Sequence, residues 1–317
     1  MSIVCVTLIL LTVLYLGKLV RPVETDDDFM AINTFHELPE NSVDVIVYGS
    51  SHAWKGLNTM KMYEDYGIGA YNYGTNWEKI NTTKLFLSDS FRTQSPKVVL
   101  VETYTVGTLK EDMDMDGEIY YTKAIPYSEE KKEYLTQCFK GDIGRYISYY
   151  FPLVAFHENR ENITEFSFRE GLMWHYDFKS TMGFRESDVI VEVDIPDWSV
   201  FEQSELPNGS KNVLDDMVEI CQKNNIELIF YTAPYMGVFN YSKALEQYAY
   251  EKGCIYIDFF RLIEEVGIDG KTDFQDAGHL NTSGANKLAA YFGEYISNNY
   301  NLEDKRLLKN NIWKDGF

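Results

Sequence analysis

VDVIVYGSSHAWKG, residues 43–56, decides how this chain is read. Apolar and β-branched residues run through Tyr48 as a buried strand would, and the run breaks at Gly49 into two serines and a histidine. A strand ending in Gly-Ser-Ser and leading into a helix sets a hydroxyl at the carboxyl edge of a sheet. The stretch alone leaves two readings open. It is either a turn at a strand end, or the seat of a nucleophile whose partners lie elsewhere in the chain. A nucleophilic serine needs a base, a group to orient that base, and donors for an oxyanion.

Outward from this stretch runs a strand–helix rhythm. A short helix over 58–67 stops at Gly67, a strand follows over 69–74, a helix over 77–94 and a third strand over 97–103. The rhythm resumes at 211–225, where Val213, Leu214, Met217, Val218, Ile220 and Cys221 share one helical face. Strands over 226–234 and 254–260 flank a helix reaching about Glu251, and a helix over 283–297 closes the series. Five strands joined by helices predict an α/β fold with a doubly wound parallel sheet, whose ligands bind outside the carboxyl ends of the strands.

The expected α/β domain spans 43–298, with its core in 43–103 and 211–298 and an inserted subdomain over 104–210. A hundred residues without strand–helix rhythm exceed an ordinary connection. They read as a subdomain over the active face that sets substrate specificity. The acidic stretch EDMDMDGE (111–118) lacks the frame of a calcium loop and reads as a solvated loop.

Residues 3–17 carry no charge, and apolar residues resume at Leu19 and Val20, so 1–21 reads as an uncleaved transmembrane signal anchor. Residues 22–42, with Asp26–Asp28, read as a polar linker, and 299–317 as a C-terminal tail. Lys18 and Arg21 on the far flank of the anchor weakly favour a cytoplasmic domain.

Composition narrows the classes. The 317 residues carry a formal charge of −20, which argues against nucleic acid as a partner, since binding phosphates needs clustered Lys and Arg. Four cysteines at 5, 138, 221 and 254 fall in no zinc spacing, so no metal or other cofactor is expected.

Only five histidines are available as a base. His279 lies in FQDAGHLNTSGANKL (274–288), just before the final helix, with Asp276 three residues upstream. A carboxylate there can hold the Nδ1–H of the imidazole and leave Nε2 to take a serine proton. Asn281 and Thr282 are good caps for the helix that follows. Together with the strand-terminal serine, this points to a Ser-His-Asp site.

Gly49-Ser50-Ser51 after the first strand, Asn72-Tyr73-Gly74 after the second and Asp276-x-x-His279 before the last helix resemble the GDSL/SGNH hydrolase superfamily. They match its first, second and fifth sequence blocks in order. An anchor followed by LPENSVDVIVYGSSH, AYNYG and KVVLVETY is more narrowly similar to membrane-anchored bacterial SGNH proteins of D-alanyl-lipoteichoic acid and polysaccharide O-acyl transfer. The resemblance implies a flavodoxin-like α/β/α sandwich and an esterase or O-acyltransferase acting on acyl esters of a cell-surface glycan. It implies a place outside the cell membrane on a single span, beside a membrane-bound O-acyltransferase, against the charge of Lys18 and Arg21.

Residue by residue, the resemblance makes Ser51 rather than Ser50 the nucleophile, with its own N–H as an oxyanion donor. It makes Gly74 N–H a second donor, His279 the base and Asp276 its orienter. One block departs: the third strand ends Glu102-Thr103-Tyr104, without the asparagine that would supply a third donor, and Asn76 is the available stand-in. His52, Trp54, Trp77, Glu102 and Tyr235 are further candidates for lining a substrate cleft, the tryptophans for stacking on sugar. The missing asparagine also supports an alternative, a non-catalytic membrane-tethered binding or scaffold protein of the same envelope system.

Overall fold

β1 (Val45–Tyr48), β2 (Ala70–Asn72), β3 (Val98–Glu102), β4 (Glu227–Thr232) and β5 (Ile255–Asp258) form one all-parallel sheet in the order β2-β1-β3-β4-β5. The computed structural model describes residues 3–20, 24–107, 120–163, 167–168 and 178–315. Every residue of β1, β2 and β3 is buried, which is why these strands read as continuous apolar runs rather than alternating ones.

In chain order the helices among the described residues include α1 (Ile3–Val20), α2 (Glu24–His36), α3 (Ser51–Trp54), α4 (Thr59–Tyr66), α5 (Ile80–Ser90), α6 (Glu129–Phe139), α7 (Ile143–Tyr150), α8 (Pro152–Ala155), α9 (Asn208–Lys223), α10 (Ser242–Lys252), α11 (Ile263–Val266), α12 (Thr282–Asn299) and α13 (Ile312–Asp315). The chain divides into two units, 1–33 with 113–177, and 34–112 with 178–317.

In the sheet unit, helices cover both faces. Val45, Val47, Val98, Leu100, Ile229, Tyr231 and Ile257 share a cluster with Met62 of α4 and with Leu288, Phe292 and Ile296 of α12. The pairings Val45↔Val98, Val47↔Leu100 and Leu100↔Ile229 put these strand residues side by side on one face. Contacts of α5 with β1 and of α9 with β4 cover the other. Strand order reverses between β1 and β3, since β2 lies on one side of β1 and β3–β5 follow on the other. The carboxyl ends of β1 and β3 therefore flank the crevice where such sheets hold ligands.

Three segments extend the sequence reading. Residues 24–36, expected within a polar linker, are helical. Their three aspartates hide an apolar set, Ala31, Ile32 and Phe35, all buried at helical spacing. Phe35 stacks on Tyr73 with ring centroids 4.2 Å apart. Residues 300–315, expected as a tail, pack onto the sheet unit. Trp313 is buried, its Nε1 donates to the Ala70 carbonyl at 3.3 Å, and Lys305 pairs with Asp44 at 3.0 Å. Within 104–210, residues 178–195 run along the sheet unit as a strap. Asn72 N–H donates to Met182 O, Arg185 N–H to Trp54 O, Val191 N–H to Phe274 O and Val193 N–H to Gly270 O. The acidic stretch 111–118 lies outside the described residues.

In the other unit, α6 and α7 form a hairpin closed by Phe139 against Tyr146 and Tyr149, with centroids at 4.6 and 5.7 Å. The last turns of α1 pack on α8, where a Cβ added to Gly17 would lie 3.3 Å from the Leu153 nitrogen. Asn159 Nδ2 donates to the Val20 carbonyl at 2.9 Å.

One backbone position controls how β1 enters α3. Gly49 has φ of 135°, and an added Cβ would stand 2.7 Å from Glu102 Cβ. Left-handed strain and collision with a buried neighbour add together, so Gly49→Ala is expected to cost about 2–4 kcal/mol of stability. Urea denaturation of the two proteins measures it, and equal midpoints at equal slopes would refute it.

Candidate active site

Ser50 and Ser51 leave β1 with different tasks. Ser50 is the N-cap of α3, in extended conformation, and its Oγ accepts from His52 N–H at 3.4 Å. Its hydroxyl also donates to Glu102 Oε2 at 3.2 Å. Ser51, the first residue of α3, is half-buried and directs its Oγ to His279 Nε2 at 2.7 Å. The sequence places these two residues 228 positions apart, and the fold brings them into hydrogen-bond contact.

The line continues through the ring. His279 Nδ1 lies 2.9 and 3.1 Å from the two Asp276 oxygens. Asp276 also accepts the Gly278 N–H at 2.7 Å and Gln275 Nε2 at 3.2 Å. Burial pushes the Asp276 pKa upward, but the Gly278 N–H and the His279 charge outweigh it, so the carboxyl titrates below its usual range. His279 is also lowered, first by burial and further by the Lys55 charge, with Asp276 pulling the other way. The imidazole is thus neutral near pH 7 and able to accept a proton.

The loop bearing these groups is pinned at several points. Asn281 caps α12 through Gly284 N–H at 3.2 Å and donates to the Thr272 and Val189 carbonyls at 2.7 and 3.1 Å. Gln275 N–H donates to His279 O at 3.0 Å, and Met236 N–H, beyond β4, to Ala277 O at 2.7 Å. Ser187 in the strap exchanges hydrogen bonds with Thr282. An imidazole held from three directions loses little freedom when it meets the serine hydroxyl.

The remaining predicted residues separate into distinct surroundings. Gly74 sits at the end of β2, where its N–H donates to Asn72 Oδ1 at 3.2 Å and an added Cβ would meet the Gly49 carbonyl at 3.0 Å. Asn76 is half-buried in the turn that follows. Trp77 in the same turn is 65% exposed, with φ of 49°. Trp54 is buried, with the Arg185 guanidinium 4.1 Å above its ring. His52 is buried between Tyr104 (stacked, 3.9 Å) and Tyr235 (edge-on, 5.1 Å), with its ring 5.0 Å from that of His279. Burial and the nearby His279 charge hold His52 down at a pKa of about 3, so it stays neutral.

Glu102 is a building element of the β1 turn. It is 1% exposed, accepts the Tyr104 N–H at 2.9 Å and takes the Ser50 hydroxyl. Burial raises its pKa to about 8 against the partial opposition of these donors.

Two neighbours escaped the sequence reading. Tyr104 forms the aromatic wall with His52 and Tyr235, and its place just beyond β3 was the available signal. Lys55 lies four residues after Ser51, on the same side of the α3 turn, with Nζ 4.9 Å above the Trp54 ring. The i,i+4 spacing could have found it. Among the described residues no group of three or more His, Cys, Asp or Glu side chains gathers to hold a metal ion.

No family model matches the chain, and no curated protein matches it. Among solved structures, a Bacteroides fragilis protein provisionally named an acylhydrolase is similar with a TM-score of 0.40 and 12% identity, over 83% of this chain and 92% of that one. A likeness that distant carries no argument about activity, so the chemistry rests on the site itself.

The buried carboxyl supplies a test. The folded protein holds on Glu102 a proton that the unfolded chain releases near pH 4.5, so this group costs stability progressively as pH climbs from about 4.5 to about 8. Glu102→Gln keeps the shape and removes the titration. The stability of this variant relative to wild type is expected to rise across that window and level off above it. Urea unfolding at a series of pH values reads the difference, and a pH-independent offset would contradict the assignment.

Proposed function

We propose that the protein is a serine-dependent esterase or O-acyltransferase of SGNH type, acting on acyl esters of a cell-surface carbohydrate. The observation that carries this reading is the continuous hydrogen-bonded line from Ser51 Oγ through His279 to Asp276. In the proposed cycle Ser51 Oγ attacks the ester carbonyl carbon while its proton passes to His279 Nε2. The carbonyl oxygen becomes an oxyanion beside the Ser51 N–H at the start of α3, with Asn76, and the Gly74 N–H on leaving Asn72 Oδ1, as further candidate donors. Collapse breaks the ester C–O bond, and the leaving alcohol takes the proton from His279. Water or a sugar hydroxyl then gives its proton to His279 and attacks the acyl-enzyme, which returns free Ser51. Hydrolysis and transfer differ only in that acceptor.

The segment Ile3–Val20 is long and apolar enough to cross a membrane. In the proposed arrangement it anchors the sheet unit outside the cell membrane, where a membrane-bound O-acyltransferase would be a suitable partner. A C-terminal reporter active only in the cytoplasm would reverse this orientation.

One observation favours a second reading, a tethered binding protein without catalysis. The end of β3 offers a buried glutamate tied to Ser50 where an asparagine donor was expected. Labelling with a fluorophosphonate probe separates the two. Wild type is expected to label and Ser51→Ala to remain unlabelled, with kcat/KM on a p-nitrophenyl ester falling roughly 10³-fold or more. Equal labelling would leave only the binding reading.

The protonation of the base gives an independent check. Because His279 is lowered from the ordinary 6.5, the acid limb of kcat/KM is expected below pH 6.5. Asp276→Asn removes the carboxylate that raises it, so the limb should move to lower pH while the plateau falls on the order of 10⁴-fold through loss of the productive tautomer. An unshifted limb would argue that another group controls the profile. To divide esterase from transferase, surface-glycan O-acyl content is compared with and without the gene: loss on deletion supports transfer, gain supports hydrolysis.

A further inference from the structure

Five large apolar side chains lie exposed along one short stretch of the unit that contains α1. Ile143, Ile147 and Tyr150 of α7 are 74, 46 and 46% exposed, and Phe151 and Val154 just beyond are 49 and 51% exposed. Ile143, Ile147 and Tyr150, spaced four and three residues apart, form a stripe on α7; Phe151 ends that helix in non-helical backbone, and Val154 carries the exposed apolar surface onto α8. Tyr149 faces inward: it is buried and packs on Phe139 beside Tyr146, and its Oη lies 3.1 Å from Thr122 Oγ1. The exposed stripe is therefore the outer face of a helix already packed on its inner face.

From this placement we infer that Ile143–Val154 is a second membrane-contacting element, lying in the lipid–water interface beside the transmembrane helix. The inference rests on the anchor reading of α1 and extends it from one helix to a platform. Continuity is the first argument. The stripe runs into α8, which packs on the last turns of α1 at Gly17, while Ile3, Leu8 and Leu14 on the rest of α1 are 87, 57 and 58% exposed. Composition is the second, because Tyr150 and Phe151 are suited to the headgroup level, where interfacial helices lie. The occupant is lipid rather than another protein, since the platform adjoins a helix whose own surface is apolar all round.

The test uses the full chain in phosphatidylcholine–phosphatidylglycerol nanodiscs, in a Cys5→Ala, Cys254→Ala background. A nitroxide is attached at Ile147→Cys or Val154→Cys, with Leu10→Cys and Tyr250→Cys as lipid and water references. Tyr250 is 85% exposed on the sheet unit. Collision with dissolved oxygen relative to a water-soluble nickel chelate is expected to be several-fold higher at 147 and 154 than at 250, approaching the value at 10. Water-like ratios at 147 and 154 with a lipid-like ratio at 10 overturn the platform and leave the anchor standing. Protection from both reagents shows that protein covers the face and also overturns it. A water-like ratio at 10 removes the anchor and the platform together.

Discussion

The contact between Ser50 and Glu102 joins the carboxyl ends of β1 and β3 at the place where the strand order reverses. Much of the proposed chemistry depends on it. Ser50 caps α3 and holds Glu102, which leaves the next residue, Ser51, facing the crevice. Gly49 permits the arrangement because any side chain there would enter the space of Glu102. Three consecutive residues thus divide the work into a hinge, a cap and a hydroxyl presented at the sheet edge.

The other half of the site is brought from the far end of the chain and held from outside the sheet. Asn281 closes the loop from within, Met236 N–H reaches it from beyond β4, and the 178–195 strap crosses from the interrupted region to Thr272–Thr282. Each bond restrains His279 and Asp276 without occupying the Nε2 that faces Ser51. The walls around the pair are aromatic and neutral, with His52 held uncharged between two tyrosines. In a chain with formal charge −20, Lys55 is a cation beside the site, delivered one helical turn after Ser51.

Strongly periodic segments were legible before any coordinates. The central strands β1 and β3 announce themselves because burial on both faces favours near-continuous apolar runs, and the helices around the sheet by their periodic apolar faces. Asp276 and His279 were legible because a three-residue spacing in a short loop lets two side chains meet locally. Less visible were elements whose polar residues disguise an apolar set. The aspartates of α2 obscured Ala31, Ile32 and Phe35, and the polar C-terminal segment obscured the docking of Trp313. Glu102 was misleading in a different way. It stands where an asparagine donor was sought, yet its carboxyl is spent on the turn beneath Ser51.

The sequence by itself determined the class of fold, the strand that carries the serine and the local pairing of Asp276 with His279, because each depends on neighbours within a few residues. Only the tertiary structure decided that His279 lies 2.7 Å from Ser51 and not Ser50, and that Glu102 is buried beneath the turn. It also decided that 178–195 belongs with the sheet while 120–163 belongs with α1. These outcomes depend on parallel crossovers and strand order, which bring together residues separated by more than two hundred positions. Periodicity along the chain does not encode such distances.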